Sequence, residues 1–311
     1  MAKSSKGVTL NNLAKRFSDE TRAREMLEAI RWPNGVACPR CGSLAVSKIE
    51  SKAVSQTRPG VYRCKDCRKM KKPKQFTVTV GTIFEDSHIP LSKWLLAISL
   101  LCASKKGMSA HQLHRMLGIT YKSAWFMAHR IRYAMQAENQ KMLTGIVEAD
   151  ETYIGVKARG VGSGNVDNKT PVIALVQRNG EVRSFAVPTV SAQTLREALL
   201  ENVSTSSHIM TDELPAYKKI GKQLASHETV VHSAYEYVRG DVSTNSVEGF
   251  FGLLKRGING VYHHVSKEHL NRYLAEFNFR YNRRKLTDDE TTIIAVSKFE
   301  GKRLKYRDSL A

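Results

Sequence analysis

The chain has 311 residues, an apolar fraction of 41% and a formal net charge of +20. That length has room for two or three domains with ordinary hydrophobic cores. No run of about 18 apolar residues occurs, and Met1-Ala2-Lys3-Ser4-Ser5-Lys6 leads into no apolar signal region; neither a membrane span nor a secretory leader is expected, and a cytoplasmic protein is.

The charge is uneven. Residues 1–144 hold 26 Lys/Arg against 9 Asp/Glu, whereas residues 145–311 hold 23 against 20. Clustered basic charge is what neutralising phosphates requires, so the first half is expected to grip nucleic acid. A merely solubilising surface would leave the one-sidedness unexplained.

In chain order, a helix is predicted over residues 11–32, with Leu13, Phe17, Met26, Leu27 and Ile30 apolar and Asp19-Glu20 as an interruption or cap. Trp32-Pro33-Asn34-Gly35 is a turn. Two cysteine pairs follow, Cys38-Pro39-Arg40-Cys41 and Cys64-Lys65-Asp66-Cys67, in the pattern C-x2-C-x22-C-x2-C. Each C-x2-C turn points two thiolates at one spot, and four such ligands make a structural Zn²⁺ site. A β-hairpin absorbs the long spacer. Two disulfides or unrelated core cysteines suit this paired spacing poorly in a chain with no signal region. The alternating, β-branched run Phe76-Thr77-Val78-Thr79-Val80 reads as a strand. Cys102 falls in an apolar helix, as a core residue.

The next stretch is helical. A helix is predicted over 90–101, and Ser109 caps a short one carrying His111, Leu113 and Met116. Gly118-Ile119-Thr120 turns into a longer helix over 121–135, with Ala124, Met127, Ala128, Ile131 and Ala134 at helical spacing. A short helix, a glycine turn and a second helix read as helix-turn-helix. The second helix would enter the major groove, with Lys122, Ser123, Arg130 and Arg132 as DNA contacts. A helical linker is the alternative.

From residue 144 strands and helices alternate. Strands are predicted at 145–154, 171–177, 182–187, 208–212 and 228–232, with a glycine-rich loop over 157–169 and a hairpin turn at Arg178-Asn179-Gly180-Glu181. Helices follow Ser191, lie around 216–224 and begin at Asn245. Three strands, helix, strand, helix, strand, helix is the order of an RNase H-like domain. A last amphipathic helix spans 267–284, with Leu270, Leu274, Phe277 and Tyr281 on one face. The remainder is a polar, basic tail with one apolar stretch at 293–296.

Three acids stand out in that second half. Asp150 lies in the first strand, Asp212 ends the fourth, and Glu248 sits on the first turn of the helix from Asn245. Phosphodiester chemistry needs charge neutralisation at phosphorus and an activated oxygen nucleophile. Two Mg²⁺ (or Mn²⁺) ions roughly 4 Å apart on a few carboxylates supply both. Side-chain alternation places Glu148 on the face of Asp150 and Glu151 on the other. Glu148, Glu151 and Glu213 are the rivals for the metal positions. Glu248 and Lys255 are two helical turns apart on one face, with Asn245 one turn before Glu248; Lys255 and Arg256 are candidates for holding DNA phosphate. His232, His263 and His264 lack metal-ligand spacing and read as structural or DNA-facing.

These segments resemble a known family. They are Cys38-Pro39-Arg40-Cys41-Gly42, Phe76 through Phe84, Val147-Glu148-Ala149-Asp150-Glu151-Thr152-Tyr153-Ile154-Gly155, Thr211-Asp212, Asn245-Ser246-Val247-Glu248-Gly249-Phe250-Phe251, Leu254-Lys255-Arg256-Gly257, Tyr262-His263-His264-Val265-Ser266 and Phe279-Arg280-Tyr281-Asn282-Arg283-Arg284. Over about residues 20–300 the chain resembles the zinc-ribbon DDE transposases of bacterial insertion sequences, the group related to Merlin-type elements. The resemblance implies an RNase H-like (DDE/integrase-type) core with two divalent metals. It makes Asp150 and Asp212 the two aspartates, Glu248 the third acid and Lys255 the basic residue seven positions on. Some relatives carry asparagine in place of the third acid; here the carboxylate is kept.

The expected architecture is multidomain α/β: a helical segment (1–35), a zinc ribbon (36–84), a helix-turn-helix region (85–143), an RNase H-like catalytic domain (144–285) and a basic tail (286–311). The expected function is binding of double-stranded DNA at an element's terminal inverted repeats, cleavage, and joining of the 3′-OH to target DNA. A homodimer or larger assembly on DNA is expected, in a bacterial cytoplasm at the nucleoid. The alternatives are a non-catalytic zinc-ribbon/helix-turn-helix regulator and an RNase H-like DNA nuclease.

Overall fold

The computed structural model describes residues 19–50, 59–137, 141–155, 168–217 and 223–306. The first part of the predicted N-terminal helix (11–18), most of the glycine-rich loop and the middle of the helix predicted near 216–224 lie outside them.

In chain order the elements are α1 (Glu20–Arg31), β1 (Val46–Lys48), β2 (Tyr62–Cys64), α2 (Lys65–Lys69), β3 (Gln75–Phe76), α3 (Leu91–Ala103), α4 (Ala110–Leu117), α5 (Tyr121–Met135), β4 (Ile146–Ile154), β5 (Thr170–Gln177), β6 (Val182–Ala186), α6 (Ala192–Asn202), β7 (His208–Thr211), β8 (Ser226–Thr229), β9 (Val238–Arg239), β10 (Val242–Ser243), α7 (Asn245–Gly257), α8 (Lys267–Asn282) and α9 (Asp288–Ser297). Single 3-10 turns lie at Pro215–Tyr217 and His232–Ala234, and a π turn at Ile258–Tyr262. Among the described residues no helix is long and apolar enough to cross a membrane. The chain divides into two compact units: residues 1–104, 110–135 and 286–311, and residues 105–109 with 136–285.

In the first unit β1, β2 and β3 form an antiparallel sheet. Trp32 packs edge-on against both Tyr62 (5.6 Å) and Phe76 (6.1 Å), which stack on each other. Asp19 caps α1 by accepting from the Thr21 N–H, as one of the two roles expected for it.

Two expectations are corrected in this unit. The strand predicted over 76–80 stops at Phe76. The chain instead turns repeatedly, with Val80 N–H donating to Thr77 O and Thr82 N–H to Thr79 O. The Arg31 guanidinium takes the freed carbonyls of Val78 (2.6 Å) and Val80 (2.8 Å). A buried charged donor outbids local β propensity. The tail beyond 286 is also not a tail, because α9 forms there behind a capping box between Thr287 and Glu290. It packs on α3 and α1, and Phe299 meets Phe84 at 5.4 Å.

The second unit is built on a five-stranded sheet of order β6-β5-β4-β7-β8. β4, β5 and β6 pair antiparallel, while β7 and β8 run parallel to β4. That order and those directions are the RNase H-like arrangement expected from the sequence. β5 is apolar along almost its whole length because both faces are covered. Val172, Ala174 and Val176 face Phe250, Phe251 and Leu254 of α7 and Leu274 and Phe277 of α8. Ile173 and Leu175, with Val147 and Ala149 of β4, face Leu195 and Leu199 of α6. Ser191 caps α6 by accepting from the Thr194 N–H. Gly107 has φ +98°, a backbone conformation that strains any residue with a side chain, and a Cβ there would meet the Tyr262 hydroxyl.

Candidate active site and zinc centre

Sheet geometry brings Asp150 and Asp212 together. Asp150 lies in β4, and Asp212 follows the last residue of β7, the parallel neighbour of β4. α7 crosses the same sheet face with Glu248 on its first turn. Asp150, Asp212 and Glu248 line one cavity of about 290 Å³, together with His232 and Tyr237. Burial first, then the charge of Glu151, with Asp212 and Glu248 adding, pushes the Asp150 carboxyl up to about 7. Such crowding of hard oxygen donors is what a divalent cation relieves, so the donor set fits Mg²⁺ or Mn²⁺.

The three rival acids have distinct settings. Glu148 is fully buried. It pairs with Arg178 at 2.9 Å and accepts from the backbone N–H of Ser246 (2.7 Å) and Val247 (3.1 Å) and from the Ser246 hydroxyl (3.0 Å). It therefore ties β4 to the start of α7, where orphan N–H groups and the helix dipole favour an anion. Glu213 accepts from the N–H of His232 (2.5 Å) and Ser233 (3.0 Å). Burial works to raise its carboxyl, but those donors outweigh burial and hold it below the usual range.

Glu151 stays close to the site. It lies with Asp150 and Asp212 in a group whose ligand oxygens are within 4.8 Å of one another. Its carboxyl is raised by burial and by Asp212, and the buried Tyr217 hydroxyl donates to it at 3.0 Å. Glu248 is outside that tight group. The Thr244 hydroxyl donates to it at 2.7 Å, and His232 Nε2 lies 3.5 Å away. The sequence names the three cavity acids but carries no signal for Tyr217, whose partner Glu151 is 66 residues away, or for Tyr237, which lines the cavity with acids of other elements. On α7, Asn245, Lys255 and Arg256 are all exposed.

The four cysteines meet. Cys38 and Cys67 Sγ are 3.6 Å apart, Cys41 and Cys64 3.6 Å, and Cys41 and Cys67 3.5 Å. Tetrahedral Zn–S bonds of about 2.3 Å place sulfurs roughly 3.8 Å apart, so the quartet fits zinc. Cys64 also opens α2, where the N–H of Cys67 donates to its sulfur and lowers its thiol to about 7. Cys102 is buried, as a core residue.

The DNA contacts assigned to α5 are corrected. Arg130 is only 4% exposed. Its guanidinium donates to Leu304 O (3.0 Å) and Glu85 O (2.9 Å) and covers the Phe126 ring. Arg132 is 2% exposed. Arg130 ties α5 to other parts of the first unit, and neither side chain is exposed to a groove. Of the four, Lys122 is exposed, over the Tyr306 ring, and Ser123 is half-buried in the cap formed by Thr120.

Residues 142–282 match the ISXO2-like transposase domain and residues 18–70 the transposase zinc-ribbon domain. An "uncharacterized protein in transposable element ISH50" of Halobacterium salinarum is 32% identical over 284 residues, covering 86% of this chain and 92% of its own. An "uncharacterized transposase-like protein" of Haemophilus influenzae is 28% identical over 102 residues, 33% of this chain and 81% of its own. Among solved structures, the "Mos1 transposase paired-end complex with left transposon end" aligns over 66% of this chain and 74% of its own, at 16% identity and a TM-score of 0.31. A zinc ribbon, a transposase domain and a relative from a transposable element that aligns along nearly its full length place this chain in the family of zinc-ribbon DDE transposases of insertion sequences.

Proposed function

We propose that the protein binds the terminal inverted repeats of its element, cleaves DNA there with divalent metal, and joins the freed 3′-OH to target DNA. The observation that carries this reading is the single cavity lined by Asp150, Asp212 and Glu248, supplied by two parallel strands and a crossing helix. Those three acids hold Mg²⁺ or Mn²⁺, with Glu151 beside them as a further oxygen donor. The bound metals supply charge neutralisation at phosphorus and activate the attacking oxygen. Glu148 and Glu213 position the site: one fixes the start of α7 and so Glu248, the other fixes the segment carrying His232. Lys255 and Arg256, exposed along α7, hold backbone phosphate, and Asn245 marks the near end of the same face.

The zinc ribbon and the helix pair α4–α5 carry the DNA grip. Gly118, at φ +58°, makes the tight turn between the two helices, and Lys122 at the start of α5 is the exposed contact. Cleavage at two ends in one complex calls for at least a dimer on DNA.

The test is incubation of the protein and Mg²⁺ or Mn²⁺ with DNA carrying the repeats that flank its gene. Strand cleavage and joining of a precut 3′ end are expected, with Asp150→Ala and Glu248→Ala abolishing both while DNA binding persists. Binding with no cleavage by the unmodified protein would support a regulator. Cleavage without joining would support a nuclease.

A further inference from the structure

We propose that Tyr237, flanked by Tyr235 and Val238, is a stacking platform for an unpaired base next to the scissile phosphate. The proposal deepens the transposase reading above and rests on it. Tyr235 is 85% exposed, and Tyr237 and Val238 are each 54% exposed. Three large, largely apolar side chains are exposed within four positions, whereas among the other described residues of this unit only Met142 and Tyr153 are, each singly. Tyr237 adjoins the carboxylates, because it lines the same cavity as Asp150, Asp212 and Glu248.

The segment that presents these rings is held in place at several points. Glu213 takes the N–H groups of His232 and Ser233. Glu236 N–H donates to Val231 O, and Glu236 pairs with Arg239 at 3.2 Å. Arg239 reaches Thr229 O, and Arg178 reaches Asp241 O at 2.7 Å. β9 and β10 pair across the tip. Tyr235 adopts φ +59°, a left-handed conformation that a bulky residue reaches only when its surroundings impose it. One side of Tyr237 packs near His232, ring centres 5.2 Å apart. Half the side chain is left to solvent.

A rigid, half-exposed aromatic beside a phosphate-handling cavity suits the π-face of a nucleobase, which any sequence provides. A base inside a duplex has both faces covered. The platform therefore takes a base that has left the stack, as enzymes acting at a single nucleotide commonly require.

The test is a cycle between protein and DNA. End DNA is made with one abasic nucleotide, moved in turn through the positions flanking the cut, and its binding and cleavage are measured with the unmodified protein, Tyr237→Ala and Tyr237→Phe. Tyr237→Ala is expected to weaken binding about tenfold, the size of one lost base stack, with Tyr237→Phe near the unmodified value. At one position the abasic nucleotide should produce the same loss in the unmodified protein and no further loss in Tyr237→Ala. Cleavage retained with purely additive losses at every position overturns the platform alone, as does Tyr237→Phe behaving like Tyr237→Ala. Binding that shows the non-additive position without any cleavage supports the platform and overturns the transposase reading. Failure to bind end DNA overturns both.

Discussion

At the scale of single residues, the second unit separates acids that hold structure from acids that crowd a cavity. Glu148 is fully buried and satisfied on all sides by Arg178, Ser246 and Val247. Breaking a buried pair leaves an uncompensated charge, so Glu148→Ala should destabilise this unit by about 3 kcal/mol in urea titration. Asp150 is the opposite case, raised by burial and by like charges around it. Asp150→Asn removes one of those charges. It should raise the melting temperature of the metal-free protein, abolish the proposed cleavage, and erase the stabilisation expected when Mn²⁺ is added to the unmodified chain. The sequence placed both residues on one strand face but could not separate their roles. What separates them is the start of α7, 98 residues along the chain from Glu148.

At the scale of elements, periodicity made α5, α6, α7 and the five strands legible, because each buries one face or both against a neighbour. Where it failed, a distant partner intervened. Propensity favours a strand through Thr77 and Val78, yet Arg31, 47 residues upstream of Val78, claims its carbonyl. Charge suggests that Arg130 faces solvent, yet its acceptors are Glu85 O and Leu304 O. Composition suggests a tail over residues 286–311, yet Thr287 with Glu290 three positions later is the sequence signal of a helix start there. That capping box is testable. Thr287→Ala should cost about 1 kcal/mol of stability in the first unit, measured by thermal melts at constant zinc.

At the scale of the whole molecule, the charge split between residues 1–144 and 145–311 follows a division of labour between a zinc-bearing unit and an acid-bearing one. Zinc belongs to the folding of the first. Removing it with a strong chelator should release one Zn²⁺ per chain and unfold the ribbon, as read by Trp32 fluorescence. Binding to end DNA should fall with it, while Mn²⁺ should still stabilise the second unit. Loss of Mn²⁺ binding on zinc removal would show that the two units do not fold independently.

The return of α9 to the first unit has a consequence for how the protein is made. A nascent chain leaves the ribosome from its N-terminus, at about 5–20 residues per second. One aromatic partner of Phe84, Phe299, is added only after every described strand of the second unit has been synthesised. The acid-lined cavity can thus close on a growing chain while the unit proposed to grip DNA still waits for its final helix. The order of synthesis lets the acid-lined unit be complete before the zinc-bearing one.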